Sequence, residues 1–422
     1  MINVRKIEGA MDIANRLVND IIFMCETRTK QTYFTRRGKM DFKNTLMFML
    51  NFVKKSMKIE LDFFFKRIAG DKYTITKQGY AEARKKISPS AFIKLSNVTT
   101  SWYYEDDDFK KYKGYRLSAI DSTVIGINNT KRLREAYDCV WTNGRGVARA
   151  TAACIYDIEN DMVLTSKITR YNPNERNLTV DLIEQLKCIG MKKELIIFDR
   201  GYPSFDLIEY LEKNSIKYLM RIPSNKFKAA NEALEGDQIV DFKIRKDIVR
   251  IRVLKFDLES GEKEVLITNL FDSELDTNDF KELYFKRWGI EVKYNEIKNK
   301  LQLENFTGDT QIVIEQDFYA SIYLANLVSI AKAEANQKIE EKNKGKELKY
   351  SYKVNTNILI GKLKDNLVLM LLEDNPRKRS KMLSRIIEEI SRNCIPIRPG
   401  RKYPRNMSVR SNKYSLSQKR VL

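Results

Sequence analysis

The run Glu194-Leu195-Ile196-Ile197-Phe198-Asp199 constrains the fold more than any other segment. Consecutive large apolar residues without polar alternation do not suit a half-solvated sheet and predict a short strand covered on both faces, closed by an aspartate. The neighbouring sequence supplies the covering layers. An amphipathic helix is predicted over Leu178–Cys188, with Leu182, Ile183 and Leu186 on its apolar side and Asn177 as its cap. A helix over Ser204–Lys213 and a strand over Lys217–Ile222 follow. Upstream, Tyr115–Ile127, Val147–Tyr156 and Met162–Ile168 read as strands, the last two joined by the turn-prone Glu159-Asn160-Asp161.

Three strands followed by helix and strand in alternation give the order of an RNase H-like α/β fold. From Pro223 to about Asp276 β signals interrupt it, notably Ile248–Phe256, where Arg250, Arg252 and Lys255 interleave with Ile251, Val253 and Phe256, and Glu264–Leu270. Five regions result: 1–104 helical; 105–222 the first part of the core; 223–276 a β-rich insertion; 277–349 the second part of the core; 350–422 helical with a basic tail. Glu105-Asp106-Asp107-Asp108 reads as a linker, and so does the charged stretch Lys338–Lys349. Glu315–Ala333 reads as an apolar helix packed on the sheet. The segment Pro396–Leu422 carries eight basic residues and no acidic one, which suits phosphate tracking.

Charge decides which partners suit the chain. Lysine and arginine outnumber aspartate and glutamate 77 to 56, a formal charge of +21 that favours a polyanion. The longest apolar stretch, Leu46–Val53, is broken by Asn51 and is too short to span a bilayer, and no signal-peptide pattern is present. These features predict a soluble cytoplasmic protein without a membrane partner. Cys25, Cys139, Cys154, Cys188 and Cys394 show no paired spacing and read as buried thiols. Histidine is absent, which excludes His-based triads and His-ligated zinc. Hydrolysis or transfer by this chain therefore rests on carboxylates and hard oxygen-bound cations, Mg²⁺ or Mn²⁺.

Two aspartates stand where such chemistry needs them. Asp121 interrupts the first strand and Asp199 ends the fourth; in an RNase H-like sheet these strands are neighbours. Tyr284, Arg287, Glu291 and Lys298 fall within about 60° of arc on one ideal helix. A carboxylate flanked by a phenol, a guanidinium and an ammonium suits metal-bound phosphate better than a core. Asp121, Asp199 and Glu291 are thus the candidate catalytic and metal-ligating residues, two ions per site being the usual answer to convergent carboxylates. The ordinary reading of the helix, an Arg287–Glu291 surface pair, accounts for two of its four residues. Among the remaining candidates for DNA contact, Arg200 follows Asp199. Arg84 and Lys85 lie in a capped basic helix after Thr76, which reads either as a helix-turn-helix element or as an ordinary solvated helix. Trp141 lies beside the Asn143-Gly144-Arg145-Gly146 loop.

The spacing Tyr284-x2-Arg287-x3-Glu291-x6-Lys298 resembles the Tyr-Arg-Glu-Lys (YREK) signature of the bacterial insertion-sequence DDE transposases that excise through DNA hairpins. The strand around Asp121-Ser122-Thr123, the sequence Asp199-Arg200-Gly201-Tyr202, the strand Val265–Leu270 and the helix from Thr76 to Lys86 are similar to that family as well. The resemblance implies cut-and-paste transposition by a homodimer that synapses double-stranded terminal inverted repeats and inserts them into target DNA. It implies Asp121, Asp199 and Glu291 as metal ligands, Tyr284, Arg287 and Lys298 as phosphate contacts, a DNA-binding role for residues 1–104, and association with the bacterial nucleoid. The family also stacks a flipped base on an aromatic in the β insertion. Trp102, Trp141 and Trp288 all lie outside that region, which leaves the stacking residue unassigned, with Phe227 as a candidate. A transposase-derived DNA-binding protein without catalysis, and an RNase H-like nuclease or resolvase, are the alternatives.

Overall fold

The computed structural model describes residues 6–36, 38–51, 56–70, 74–142, 144–224, 226–245, 247–258 and 261–398. Most of the basic tail, from residue 399 on, and Asn143 of the Trp141 loop lie outside the described residues. Helices α1 Lys6–Asn19, α2 Ile21–Thr27, α3 Phe42–Met49, α4 Met57–Ala69, α5 Lys77–Arg84 and α6 Ser90–Tyr103 come first. Then follow β1 Arg116–Gly126, α7 Lys131–Tyr137, β2 Cys139–Thr142, β3 Arg145–Asp157, β4 Met162–Arg170, α8 Glu175–Ile189, β5 Glu194–Phe198, α9 Phe205–Lys213 and β6 Lys217–Arg221. The chain continues through α10 Lys228–Asn231, β7 Gly236–Ile244, β8 Asp247–Asp257, β9 Lys263–Thr268, α11 Thr277–Phe285, α12 Trp288–Asn295 and a π-helical turn, Glu296–Lys300. It closes with α13 Gln311–Asn343, β10 Tyr352–Val354, α14 Thr356–Leu372, α15 Pro376–Ser391 and β11 Cys394–Pro396. Two compact units result, one of residues 107–124 and 151–295, the other of 1–106, 125–150 and 296–422. The division at 106 falls inside the acidic run.

The first unit is a mixed α/β sheet. Its strand order is β3-β1-β5-β6-β9-β8-β7, with β4 against β3. β5 runs parallel to both β1 and β6, and the β5–β6 step is a crossover through α9, as parallel neighbours require. β5 is buried along its whole length. The expected insertion is continuous with this sheet, because β9 pairs antiparallel with β6 and carries the β7–β8 hairpin outward. α8 begins one turn earlier than its apolar pattern suggests: Asn174, not Asn177, is the cap, accepting from the Arg176 and Asn177 amides.

The second unit is built around α13, a 33-residue helix buried along much of its length. A helix that is apolar on most of its faces is covered on most of them, and α1, α6, α14 and α15 all pack against it. The stretch from Lys338, expected to be a linker, is helical to Asn343, because Ala335 and Ile339 continue the buried face of α13. The cysteines also differ from expectation, since Cys154 alone is buried and Cys25, Cys188 and Cys394 are exposed. No helix among the described residues is long and apolar enough to cross a membrane.

Candidate active site

Period-two alternation places the two candidate aspartates on one face of the sheet. Leu117, Leu195, Leu219 and Leu266 join one apolar cluster with Phe280 and Leu283 of α11. Along β1 the same face continues through Ala119 to Asp121, and along β5 through Ile197 to Asp199. Ala119 and Ile197 are register partners in the parallel pair, so each strand presents its aspartate two residues beyond a matched position. The carboxyl ends of parallel strands are where open α/β sheets place their sites.

The same alternation adds two residues that sequence reasoning missed. Arg221 ends β6 on this face, and Glu264 precedes Leu266 on β9; the two form an ion pair at 3.3 Å. Burial raises the Glu264 pKa, with Arg221 opposing and the charge of Asp199 adding to the shift. A polar residue at the end of an otherwise apolar face was the available signal, but it is readable only once strand register is known.

Helix α11 carries Tyr284, whose ring lies in the apolar cluster while its hydroxyl donates to Asp199 Oδ1 at 3.1 Å. A capping box of Asp276 and Asp279 starts this helix. It ends at Phe285, and α12 begins at Trp288, so the expected continuous stripe is broken at Lys286 and Arg287. The regular 100° progression also stops before Lys298, which lies in the π-helical turn. Arg287 nevertheless reaches Glu291, Nη2 to Oε1 at 3.1 Å. Its side chain is 6% exposed against 41% for Glu291, and among the described residues its Nε has no hydrogen-bond partner. Burial opposes its charge, but Tyr284, Asp199, Asp121 and Glu291 together more than compensate and raise its pKa. Gly289 faces Ile158 and Tyr156, where an added Cβ would meet both at 3.5 Å, an ordinary contact.

Two contacts fix α12 on the sheet. The Tyr294 hydroxyl donates to the Asp121 carbonyl at 2.8 Å, and buried Lys293 pairs with Asp161 at 3.1 Å. Burial pushes the Asp121 carboxyl up to about 7; the Ser122 amide and Arg287 pull it down, and Asp199 and Glu291 push it up. The Ser122 hydroxyl donates to Glu175 at 2.6 Å. Burial also pushes the nearby Cys154 thiol up to about 12, which keeps it protonated. Among the described residues no three acidic or cysteine side chains already converge as a ligand set. The donor chemistry still fits a hard cation: the carboxylates lie in one another's field, and neither histidine nor thiolate competes.

The other predicted contacts are dispersed. Arg200 is exposed, and its amide donates to Asp199 Oδ1 at 2.7 Å. Lys298 is half-buried, and Trp141 is 73% exposed on β2. Lys85 is exposed and pairs with Glu82 at 2.6 Å. Arg84, by contrast, is buried and pairs with Asp317 at 2.8 Å. Its guanidinium is committed inside the protein and is not presented to phosphate. Phe227 is also buried, at 8% exposure, so its ring does not offer a free stacking face.

A mixed sheet with one carboxylate within β1 and another just past the end of its parallel neighbour β5, and an arginine and a tyrosine beside them, defines an α/β protein with an acidic, arginine-containing site. The model of the transposase DDE domain matches residues 112–327, just over half of the chain, and the protein belongs to this family of DNA-transposing and recombining enzymes. DDE transposases use divalent metal ions. Among solved structures, the cryo-EM structure of the piggyBac transposase synaptic complex with hairpin DNA is similar, with 11% sequence identity and a TM-score of 0.47, covering 93% of this chain and 87% of that one. No curated protein matches.

Proposed function

We propose that the chain is the transposase of a bacterial insertion sequence. In this reading it excises its element through hairpin-ended DNA and joins the ends to a target, acting as a homodimer on double-stranded terminal repeats. The observation that carries this reading is that Asp121 and Asp199 each stand two residues beyond the register pair Ala119–Ile197, with Tyr284 donating to Asp199 and Arg287 to Glu291. The order β4-β3-β1-β5-β6, parallel at its last two steps, supports an RNase H-like core, with β7–β9 as the insertion.

Asp121, Asp199 and Glu291 would hold two Mg²⁺ or Mn²⁺ ions. Bound there, the ions supply an activated water or 3′-hydroxyl and stabilise the leaving oxygen. Arg287 keeps the carboxylates together and gives a cation to the phosphate beside them. Tyr284, fixed in the core by its ring, orients Asp199 and turns its hydroxyl toward the same edge. Lys298 and Arg200 extend the phosphate contacts along the cleaved end.

The test is incubation of the purified chain with Mg²⁺ and a supercoiled plasmid carrying the element's own ends, read on denaturing gels beside Asp121→Ala, Asp199→Ala and Glu291→Ala. Hairpin-ended excised DNA from the unsubstituted chain, lost in all three variants with end binding retained, is expected. Specific binding without cleavage would replace this reading with a silent DNA-binding protein, and cleavage without joined products with a nuclease or resolvase.

A further inference from the structure

Two adjacent residues in the first turn of α8, Glu175 and Arg176, reach the chain beside both candidate aspartates. We infer that they are positioning residues, which hold the segments following Asp121 and Asp199 and so set how the two carboxylates meet a divalent cation. The inference rests on the metal-site reading above and adds to it the residues that fix the geometry of the ligands.

Both aspartates use the same local device. Asp121 Oδ1 accepts from the Ser122 amide at 2.8 Å, and Asp199 Oδ1 accepts from the Arg200 amide at 2.7 Å. Each carboxylate is therefore turned by the residue that follows it. Its direction is only as fixed as that following segment.

Consecutive residues of one helix fix both segments. Glu175 Oε1 accepts from the Ser122 hydroxyl at 2.6 Å, and Arg176 donates from Nε to the Tyr202 carbonyl at 3.2 Å. The other Glu175 oxygen stands beside Gly201, where an added Cβ would meet it at 3.7 Å. Tyr202 is 3% exposed, and its amide donates back to the Asp199 carbonyl at 3.2 Å. Burial raises the pKa of its phenol, Asp121 and Glu175 add to the rise, and a hydrogen bond with the Ser122 side chain opposes it. One buried ring thus touches the segment after Asp121 while its own backbone closes the turn after Asp199.

Position separates this role from ligation. Alternation along β1 puts Ser122 on the face opposite Asp121, so Glu175 meets the strand from the side away from α11. Asn174 caps α8, which sets Glu175 at the first helical position and its carboxylate at the positive end of the helix. Residues that orient metal ligands without touching the metal commonly change its affinity by about 10- to 100-fold when removed. Glu175 is exposed and acts through one intervening residue, which places it at the low end.

The test is calorimetric titration of the full chain with Mn²⁺ alone, alongside thermal midpoints measured without metal. Glu175→Ala should weaken Mn²⁺ binding about tenfold. Glu175→Gln keeps an acceptor for Ser122 but no charge, and should stay within about threefold of the unsubstituted chain. Arg176→Ala should also weaken binding, although removing a cation would by charge alone tighten it. The metal-free midpoint of Glu175→Ala should stay within about 3 °C, because the hydrogen bond lost is exposed. Unchanged Mn²⁺ affinity in Glu175→Ala, equal loss in Glu175→Gln, or tighter binding in Arg176→Ala would each overturn the positioning role while the transposase reading stands. An unsubstituted chain that binds no Mn²⁺ would remove the metal site and the positioning role together.

Discussion

Arg84 and Lys85 are adjacent in sequence, and their substitution should have opposite consequences. Arg84 is 3% exposed. Its Nε donates to Gln316 Oε1 at 2.9 Å, Nη1 to Thr307 Oγ1 at 2.5 Å and Nη2 to Asp317 Oδ1 at 2.8 Å. Arg84→Ala leaves Asp317 without its counter-charge, a loss of roughly 3–5 kcal/mol for a buried pair. Asp317 keeps the Thr307 amide and hydroxyl, at 2.8 and 2.7 Å, and its side chain is 18% exposed. Those remaining contacts put the expected loss at the low end, about 3 kcal/mol, which moves a urea midpoint by about 1 M. Lys85→Ala removes only a surface pair and should stay within about 0.5 kcal/mol. The Arg84→Ala, Asp317→Ala double variant should recover part of the loss, because the uncompensated carboxylate is gone. An Arg84→Ala protein with an unchanged midpoint and weakened duplex binding would refute this argument and return Arg84 to the DNA surface.

Asp121 should give the metal-free protein a pH-dependent stability. Its folded pKa, about 7, lies above the ordinary 3.8. The folded state therefore keeps a proton that the unfolded chain releases, and stability falls as pH rises through that window, by at most about 4 kcal/mol. Asp121→Asn should flatten the fall in urea midpoints measured between pH 4 and 8; parallel profiles would refute the assignment. On the proposed hairpin route, Arg287→Ala should impair hairpin formation and resolution more than the first nick, as followed by single-turnover product analysis; equal loss at every step would mark a purely structural arginine. Gly9→Ala should destabilise by about 1–3 kcal/mol in thermal unfolding, since its Cβ would stand 2.1 Å from the Trp102 ring; an unchanged midpoint would show that the ring gives way.

The strands were readable because their signal is local. The apolar run 195–198 is a buried strand, and β1 and β6 differ from their predicted limits by a residue at one or both ends. What escaped depends on distant partners. Nothing near Arg84 announces Gln316 or Asp317, more than two hundred positions away. The charged surface residues of α13 concealed Ala335 and Ile339, whose burial carries the helix onward to Asn343. Asp121, Asp199 and Glu291 stand out as candidates in the sequence, whereas Arg221 and Glu264 become candidates only through the β6–β9 register. The four-residue stripe assumed one straight helix, whereas the chain uses a break and a π turn to carry the same residues.

That break has a physical consequence at the site. On an unbroken, exposed helix, Arg287 would be a solvated cation paired with Glu291. In the turn between α11 and α12 it is instead buried, within 5.9 Å of the Tyr284 ring and 5.2 Å of the Trp288 ring. A buried guanidinium among carboxylates favours their ionised forms, while burial favours a neutral Asp121, and the two influences act on one group. The balance leaves Asp121 titrating near neutrality, so a modest change in local positive charge changes its protonation.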